Sequence, residues 1–161
     1  MATYRIEVRT REGLKDPHAE GVLHQIRELG VGSVTGVAHA RLFFIYGDLD
    51  AAGAQRIAAE LLSDPVTETC RLGAGETNGA AVVEVHLKPG VMDPVAGSAE
   101  GAVRDMGLPV SSVRTARRYE LAGEVSEAER RRLAVKLLAN PTIEDVHYAA
   151  HTPEEVHGHE Y

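Results

Sequence analysis

Cysteine is nearly missing from this chain: among 161 residues Cys70 stands alone. A single thiol cannot close an intramolecular disulfide, and it cannot supply the thiolate set of a structural zinc site. There is no tryptophan and there are two phenylalanines, which removes the aromatic platforms on which single-stranded nucleic acids stack. Basic charge is also short, with 17 Lys and Arg against 24 Asp and Glu and a formal net charge of -7. A general nucleic-acid binder needs the opposite balance to displace phosphate counterions. No apolar run approaches the roughly 18 residues of a membrane span. The opening MATYRIEVRT lacks the basic-then-apolar order of a secretory signal. These absences lead us to expect no nucleic-acid partner, no membrane partner and a cytoplasmic location.

What the chain does have is itself, twice. Gly13, Asp16, Pro17 and Gly30 return as Gly90, Asp93, Pro94 and Gly107, each 77 positions later. One residue drops out of the next loop and the offset becomes 76. Val37, Ala40 and Arg41 then match Val113, Ala116 and Arg117, and Leu61, Leu62, Pro65 and Glu68 match Leu137, Leu138, Pro141 and Glu144. A spacing held through both halves marks a tandem duplication. The first repeat is read over 1–72, a linker GAGETNG over 73–79, the second repeat over 80–150 and a His- and Glu-rich tail over 151–161.

The two halves share one pattern of elements. YRIEVRT and VVEVHLK alternate apolar and polar residues with period two, as a half-buried strand does. A helix follows in each, striped by Ala19, Val22, Leu23, Ile26 and Leu29 or by Ala99, Ala102, Val103 and Met106, with Gly30 and Gly107 as stops. Next comes a long strand, VTGVAHARLFFIYG or SVRTARRYELAG. A second helix is capped by Asp50 or by the capping box of Ser126 and Glu129, and in the second copy striped by Leu133, Ala134, Leu137 and Leu138. It should end by Asp64 or Asn140, because each precedes a proline. A last strand closes each unit. The expected fold is α+β: two β-α-β-α-β units related by a pseudo-twofold axis, with helices packed on antiparallel sheets. A three-stranded unit of about 70 residues hides only about 60% of its unfolded surface. The copies should therefore bury faces or edges against each other in one body.

Candidate sites are sparse. Asp16-Pro17 and Asp93-Pro94 read as N-cap and first helical residue, with a functional carboxylate as the alternative. Clusters such as Arg117-Arg118 and Arg130-Arg131-Arg132 read as solvated faces. The closing stretch HYAAHTPEEVHGHEY carries His147, His151, His157 and His159, and it is expected to be mobile. Without fixed helical spacing these assign no dedicated metal site. No nucleophile with a base, phosphate-cradling glycine loop or carboxylate pair stands out, so no catalytic residue is assigned and a binding or scaffolding role is favoured over an enzyme acting alone.

The stretch VEVHLKPGVMDPVAGSAEGAVRDMGLPVSSVRTARRYEL, followed by KLLANPTIEDVHY, resembles the PurS subunit of phosphoribosylformylglycinamidine synthase. That family opens on Lys-x-Gly-Val-x-Asp-Pro and closes on Leu-Leu-Ala-Asn-Pro-x-Ile-Glu-Asp. In its strand motif, Ala116 and Arg117 replace the family's glycine and lysine. The first repeat resembles it less closely, with Ala38 where the second has Arg114. The resemblance implies a non-catalytic subunit of a purine-biosynthetic ligase. It would bridge the large ATP-dependent synthetase subunit and the glutaminase subunit and support ammonia transfer. It also implies that ATP, magnesium and glutamine are used by those partners, with no cofactor bound by this chain. Ordinary members dimerise, so this chain would be a covalent dimer, and a further homodimer of the fused chain is compatible with that. Arg114, Arg117, Arg118 and Glu120, on a long strand expected to expose its charge, and Asn140 with Pro141, at the end of the neighbouring helix, are the candidate partner-binding residues. Arginine's planar fork suits such contacts; an ordinary polar sheet face is the plain alternative. Two rival roles remain open: a small-molecule sensor with its ligand between the repeats, and an adaptor outside purine synthesis.

Overall fold

The computed structural model describes residues 2–73 and 81–153. Most of the linker and the tail beyond Pro153, including His157 and His159, lie outside the described residues. In chain order the elements are β1 (Ala2–Thr10), α1 (Pro17–Glu28), β2 (Val34–Gly47), α2 (Ala51–Ile57), β3 (Glu68–Leu72), β4 (Ala81–Leu87), α3 (Pro94–Asp105), β5 (Val110–Gly123), α4 (Glu127–Leu133) and β6 (Glu144–His147). The repeat seen in the sequence is therefore a repeat of structure, β-α-β-α-β followed by β-α-β-α-β.

The copies join by their edges, and one antiparallel sheet of order β3-β1-β2-β5-β4-β6 results. At its centre β2 and β5 pair along nearly their whole length, and Arg41 stands opposite Arg117. These two are equivalent under the 76-residue offset. A ladder in which a residue faces its own counterpart is unchanged by exchange of the repeats, so the pseudo-twofold axis passes through that pair. Gly47 and Gly123, also equivalent, mark the two ends of the ladder. A Cβ on Gly47 would lie 2.3 Å from the Pro109 carbonyl oxygen, and one on Gly123 2.1 Å from that of Ser33. Each glycine lets the other repeat's backbone pass.

All four helices sit on one face of the sheet. The long central strands explain how they are shared out. α1 leads into the start of β2, and that end of β2 lies beside the second repeat's half of the sheet. Its Val22 and Ile26 accordingly pack with Val83, Val85, Tyr119, Leu121, Leu133, Ala134 and Leu138. On the other side α3 sends Ala96, Ala99 and Val103 into a core of Ile6, Val8, Phe43, Ile45, Ile57, Ala58 and Leu62. Each core thus combines one repeat's strands and second helix with the other repeat's first helix. Neither repeat owns a complete core.

The caps fall where expected. Asp16 Oδ1 accepts from the Ala19 amide at 3.2 Å and Asp93 Oδ1 from the Ala96 amide at 3.0 Å, each before a proline. Gly13 and Gly90 sit at φ +88 and +86 as third residues of turns closed by Leu14 N–H to Arg11 and Val91 N–H to Lys88, a place that demands a left-handed backbone. Ser126 and Glu129 form the capping box of α4. The second helices end before the two prolines, as expected, but their last turns are not regular α-helix. Regular helix stops at Ile57 and Leu133, and a five-residue π-turn follows in each, Ala58–Leu62 and Ala134–Leu138. Neither reaches Asp64 or Asn140. Ser63 and Ala139 are already extended, and the sheet supplies the caps: Arg41 and Arg117 donate to the Leu62 and Leu138 carbonyls at 3.2 and 2.7 Å.

Candidate partner interface

β5 sends its charges to both faces of the sheet, so the candidate residues divide into two groups. Arg117 points to the helix side. It forms a bidentate pair with Glu144, whose Oε1 also accepts the Asn140 amide at 2.7 Å. Asn140 Oδ1 in turn accepts from the Thr142 amide, and the exposed Pro141 caps the outside of this turn. Arg117, Asn140 and Pro141 are therefore one assembly, joined through Glu144. The first repeat builds the same object from Arg41, Glu68 and Asp64. In both repeats arginine and glutamate are 27 residues apart, a spacing that could have identified the pair before its geometry was known.

Close to the axis the two repeats stop matching. Tyr119 on β5 is buried, accepts from Arg117 Nε at 3.2 Å and pairs with His18 Nε2 at 2.9 Å. His39 lies beside both, its ring 4.2 Å from that of His18 and 5.4 Å from that of Tyr119. Burial, and then the neighbouring His18, lower the His39 pKa to about 4. The positions equivalent to His18, His39 and Tyr119 are Val95, Thr115 and Phe43. The Thr115 amide and hydroxyl both bond Asp93 Oδ2, at 3.0 and 2.7 Å, whereas His39 Nδ1 stands 3.9 Å from Asp16 Oδ2. Nearby, the second repeat exposes Met92 at 81% and Val95 at 57%, where the first has Lys15 and His18. The second repeat's rim thus presents apolar side chains where the first presents charged and polar ones at Lys15 and His18, beside the half-exposed Leu14.

Arg114, Arg118 and Glu120 point to the helix-free face. There the expectation of exposed charge fails, because Arg118 is only 1% exposed. It belongs to a closed ring of alternating ion pairs that runs Arg5, Glu7, Arg9, Glu120, Arg118, Glu84 and back to Arg5, with contacts of 2.5 to 3.2 Å. Three cations and three anions balance. Burying any one of them unpaired would be costly, and the ring leaves none unpaired. Burial works to raise the Glu84 carboxyl, but hydrogen bonds from His86, Arg5 and Arg118 outweigh it and hold the group well below the usual carboxylate range. Glu120 is lowered in the same way by Arg9 and Arg118 against its own burial. Arg114 donates to the Leu87 carbonyl at 3.0 Å. Beside the ring lies an apolar strip of Ala40, Leu42, Phe44 and Tyr46.

Part of the stretch expected to be mobile is instead bound to the sheet. His147 is in β6, and the chain through Pro153 is held against the sheet, with the His151 amide bonded to Glu84 Oε1 at 3.0 Å. A shallow recess of about 470 Å³ opens between the repeats, lined by Asp48, Leu49, Asp50, Leu108 and Pro109. Among the described residues no group of three His, Cys, Asp or Glu is arranged to hold a metal ion, and no helix is long and apolar enough to cross a membrane.

Fold and site together define a class: an α+β body built from a duplicated unit and closed about an internal twofold, with Arg5, Arg9, Arg41, Arg117 and Arg118 tied into ion pairs across its sheet. The family model for PurS, phosphoribosylformylglycinamidine (FGAM) synthase, matches the chain over residues 3–76 and again over 80–152. The chain belongs to the PurS family, in tandem duplicate. Among solved structures it is similar to Methanocaldococcus jannaschii PurS, one of the subunits of formylglycinamide ribonucleotide amidotransferase in the purine biosynthetic pathway, at 15% identity and a TM-score of 0.42, covering 44% of this chain and 92% of that one. It is also similar to B. subtilis PurS, at 18% identity and a TM-score of 0.41, covering 46% of this chain and 98% of that one. No curated protein matches it.

Proposed function

We propose that this chain is a covalent PurS dimer. In this reading it is the non-catalytic subunit of phosphoribosylformylglycinamidine synthase, in the cytoplasm, bridging the ATP-dependent synthetase and glutaminase subunits and supporting ammonia transfer between them. The observation that carries the reading is the double family match on a body closed about an internal twofold. ATP, magnesium and glutamine are then handled by the partners, and this chain binds no cofactor. Fusion makes the pairing of repeats intramolecular, at high effective concentration, and frees them to diverge. The two unlike rims beside the axis, Met92 and Val95 against Lys15 and His18, give each partner a different surface. Arg114, Arg117, Arg118, Glu120, Asn140 and Pro141 remain our candidates for partner binding. Of these, Asn140 and Pro141 are exposed in the folded chain, and they are the ones a partner would reach first.

The test is reconstitution of the synthase with and without this chain, driven by glutamine or by free ammonia. We expect glutamine-dependent activity to need the chain and ammonia-dependent activity to survive its omission. Full glutamine-dependent activity in its absence would refute the bridging role. The recess between the repeats favours a second reading, a small-molecule sensor. A thermal-shift screen with purine intermediates and amino acids separates the two, since the scaffold reading expects no shift.

A further inference from the structure

We propose that residues 148–153 form a pH-sensitive strap, which leaves the α4 side of the sheet at Tyr148, lies across the helix-free face at His151 and Pro153 at neutral pH, and is released from that face in mild acid. β6 ends at His147, and the chain is then tied down at several points. Arg130 donates to the Tyr148 carbonyl at 3.3 Å, and the guanidinium groups of Arg130 and Arg131 stand 4.8 and 4.5 Å from the Tyr148 ring. The His151 amide donates to Glu84 Oε1 at 3.0 Å, Arg5 donates to the His151 carbonyl at 3.3 Å, and the Tyr46 hydroxyl donates to the Pro153 carbonyl. The strap therefore reads out the ion-pair ring directly, through Arg5 and Glu84.

Its docking brings three imidazoles together. The His151 ring stacks on that of His147 at 3.7 Å and 8°, and the buried His86 meets both edge-on at 5.2 and 5.0 Å. The charged groups around them come from four strands. β4 gives Glu84, with His86 at 3.1 Å from it; β1 gives Arg5; β5 gives Arg114 and, through Glu84, Arg118; β6 gives Asp145. Glu84 is already shared by Arg5 and Arg118, and Asp145 is half exposed and paired with Lys88. Among the described residues, protons on both stacked rings would find only these two carboxylates, each already engaged by a cation. The stack itself needs neutral rings, because like charges this close repel in a partly buried site.

Burial, then mutual repulsion with the other imidazoles, lowers the pKa of His147 and of His151 below the usual histidine value. Once the strap leaves, His151 is solvated and His147 loses its stacking partner, so both return toward about 6.5. The released state then binds more protons than the docked one. Docking is strongest above that pH and weakens as pH falls below it, by at most about tenfold per pH unit for each histidine.

Hydrogen exchange on the full chain, followed by mass spectrometry and corrected for intrinsic rates, tests this. Between pH 7.5 and pH 5.5 we expect peptides over 148–153 to lose protection, by up to about a hundredfold, while the β2–β5 ladder keeps its own. The double variant His147→Phe with His151→Phe keeps an aromatic stack that cannot titrate, and should remove the change. Unaltered protection of 148–153 in the native chain would overturn the proposal, as would a loss shared equally by the ladder. So would a double variant that folds and still shows the full pH effect. If that variant fails to fold, His151→Phe alone should halve the logarithm of the change, and an undiminished change would again overturn it.

Discussion

The two faces of the sheet use the duplication in opposite ways. On the helix face the repeats agree: Arg41 with Glu68 and Arg117 with Glu144 make the same pair, and each arginine caps the same π-turn. On the helix-free face they disagree. Glu7 and Glu84 are equivalent, but the arginines that neutralise them are not: Arg5, Arg9 and Arg118 align with Val82, His86 and Leu42. Two identical copies could not close such a ring. The asymmetric face makes the first repeat complementary to the second and not to another of its own kind. The symmetric face keeps the architecture, and the asymmetric one specifies the pairing.

The comparison can be broken most severely by cutting the chain. Residues 1–76 expressed alone lack α3 and lack β4, β5 and α4, which supply most of the core that α1 packs into, so we expect no cooperative unfolding transition by circular dichroism. A stable folded monomer would contradict the shared cores.

Next in size is Glu84→Ala, which takes from buried Arg5 and Arg118 the carboxylate they share, leaves the ring with three cations against two anions, and should cost about 3–5 kcal/mol in urea unfolding. Adding Arg118→Leu, which installs the residue found at the equivalent Leu42, should recover about 1–2 kcal/mol by removing the excess cation.

His39 against Thr115 gives a pH-dependent contrast. With its folded pKa lowered to about 4, His39 resists protonation that the unfolded chain accepts below about 6.5. Its contribution to stability is intact above that pH and is lost progressively as pH falls toward 4, by up to about 3 kcal/mol. Unfolding free energies across this range should lose part of their slope in His39→Thr.

The smallest contrast lies between the matched arginines. Arg117 and Glu144 are 33% and 8% exposed, Arg41 and Glu68 45% and 21%. Arg117→Ala should cost about 1–2 kcal/mol and Arg41→Ala about 0.5–1, since solvent screens the more exposed pair.

Much of this was legible in the sequence, and the physics shows why the rest was not. Caps and turn glycines act over three or four residues, so Asp16, Asp93, Ser126 and Gly90 announced themselves. The duplication was visible as a fixed offset. Periodicity, by contrast, shows that Val22 and Ile26 face something without saying which repeat supplies it, and the exchange of first helices stayed hidden. The alternation of Arg5, Glu7 and Arg9 was correctly polar, but a strand pattern does not reveal that the polar face is covered. The partner surface was least legible of all: Arg117 looked available and is committed to Glu144, whose spacing from it matched Arg41 and Glu68 all along.

In the proposed role one fused chain does the work of a PurS pair. Native mass spectrometry of the assembled synthase measures this most directly. We predict one copy of this chain for each synthetase and each glutaminase subunit. Two copies per synthetase subunit would contradict it.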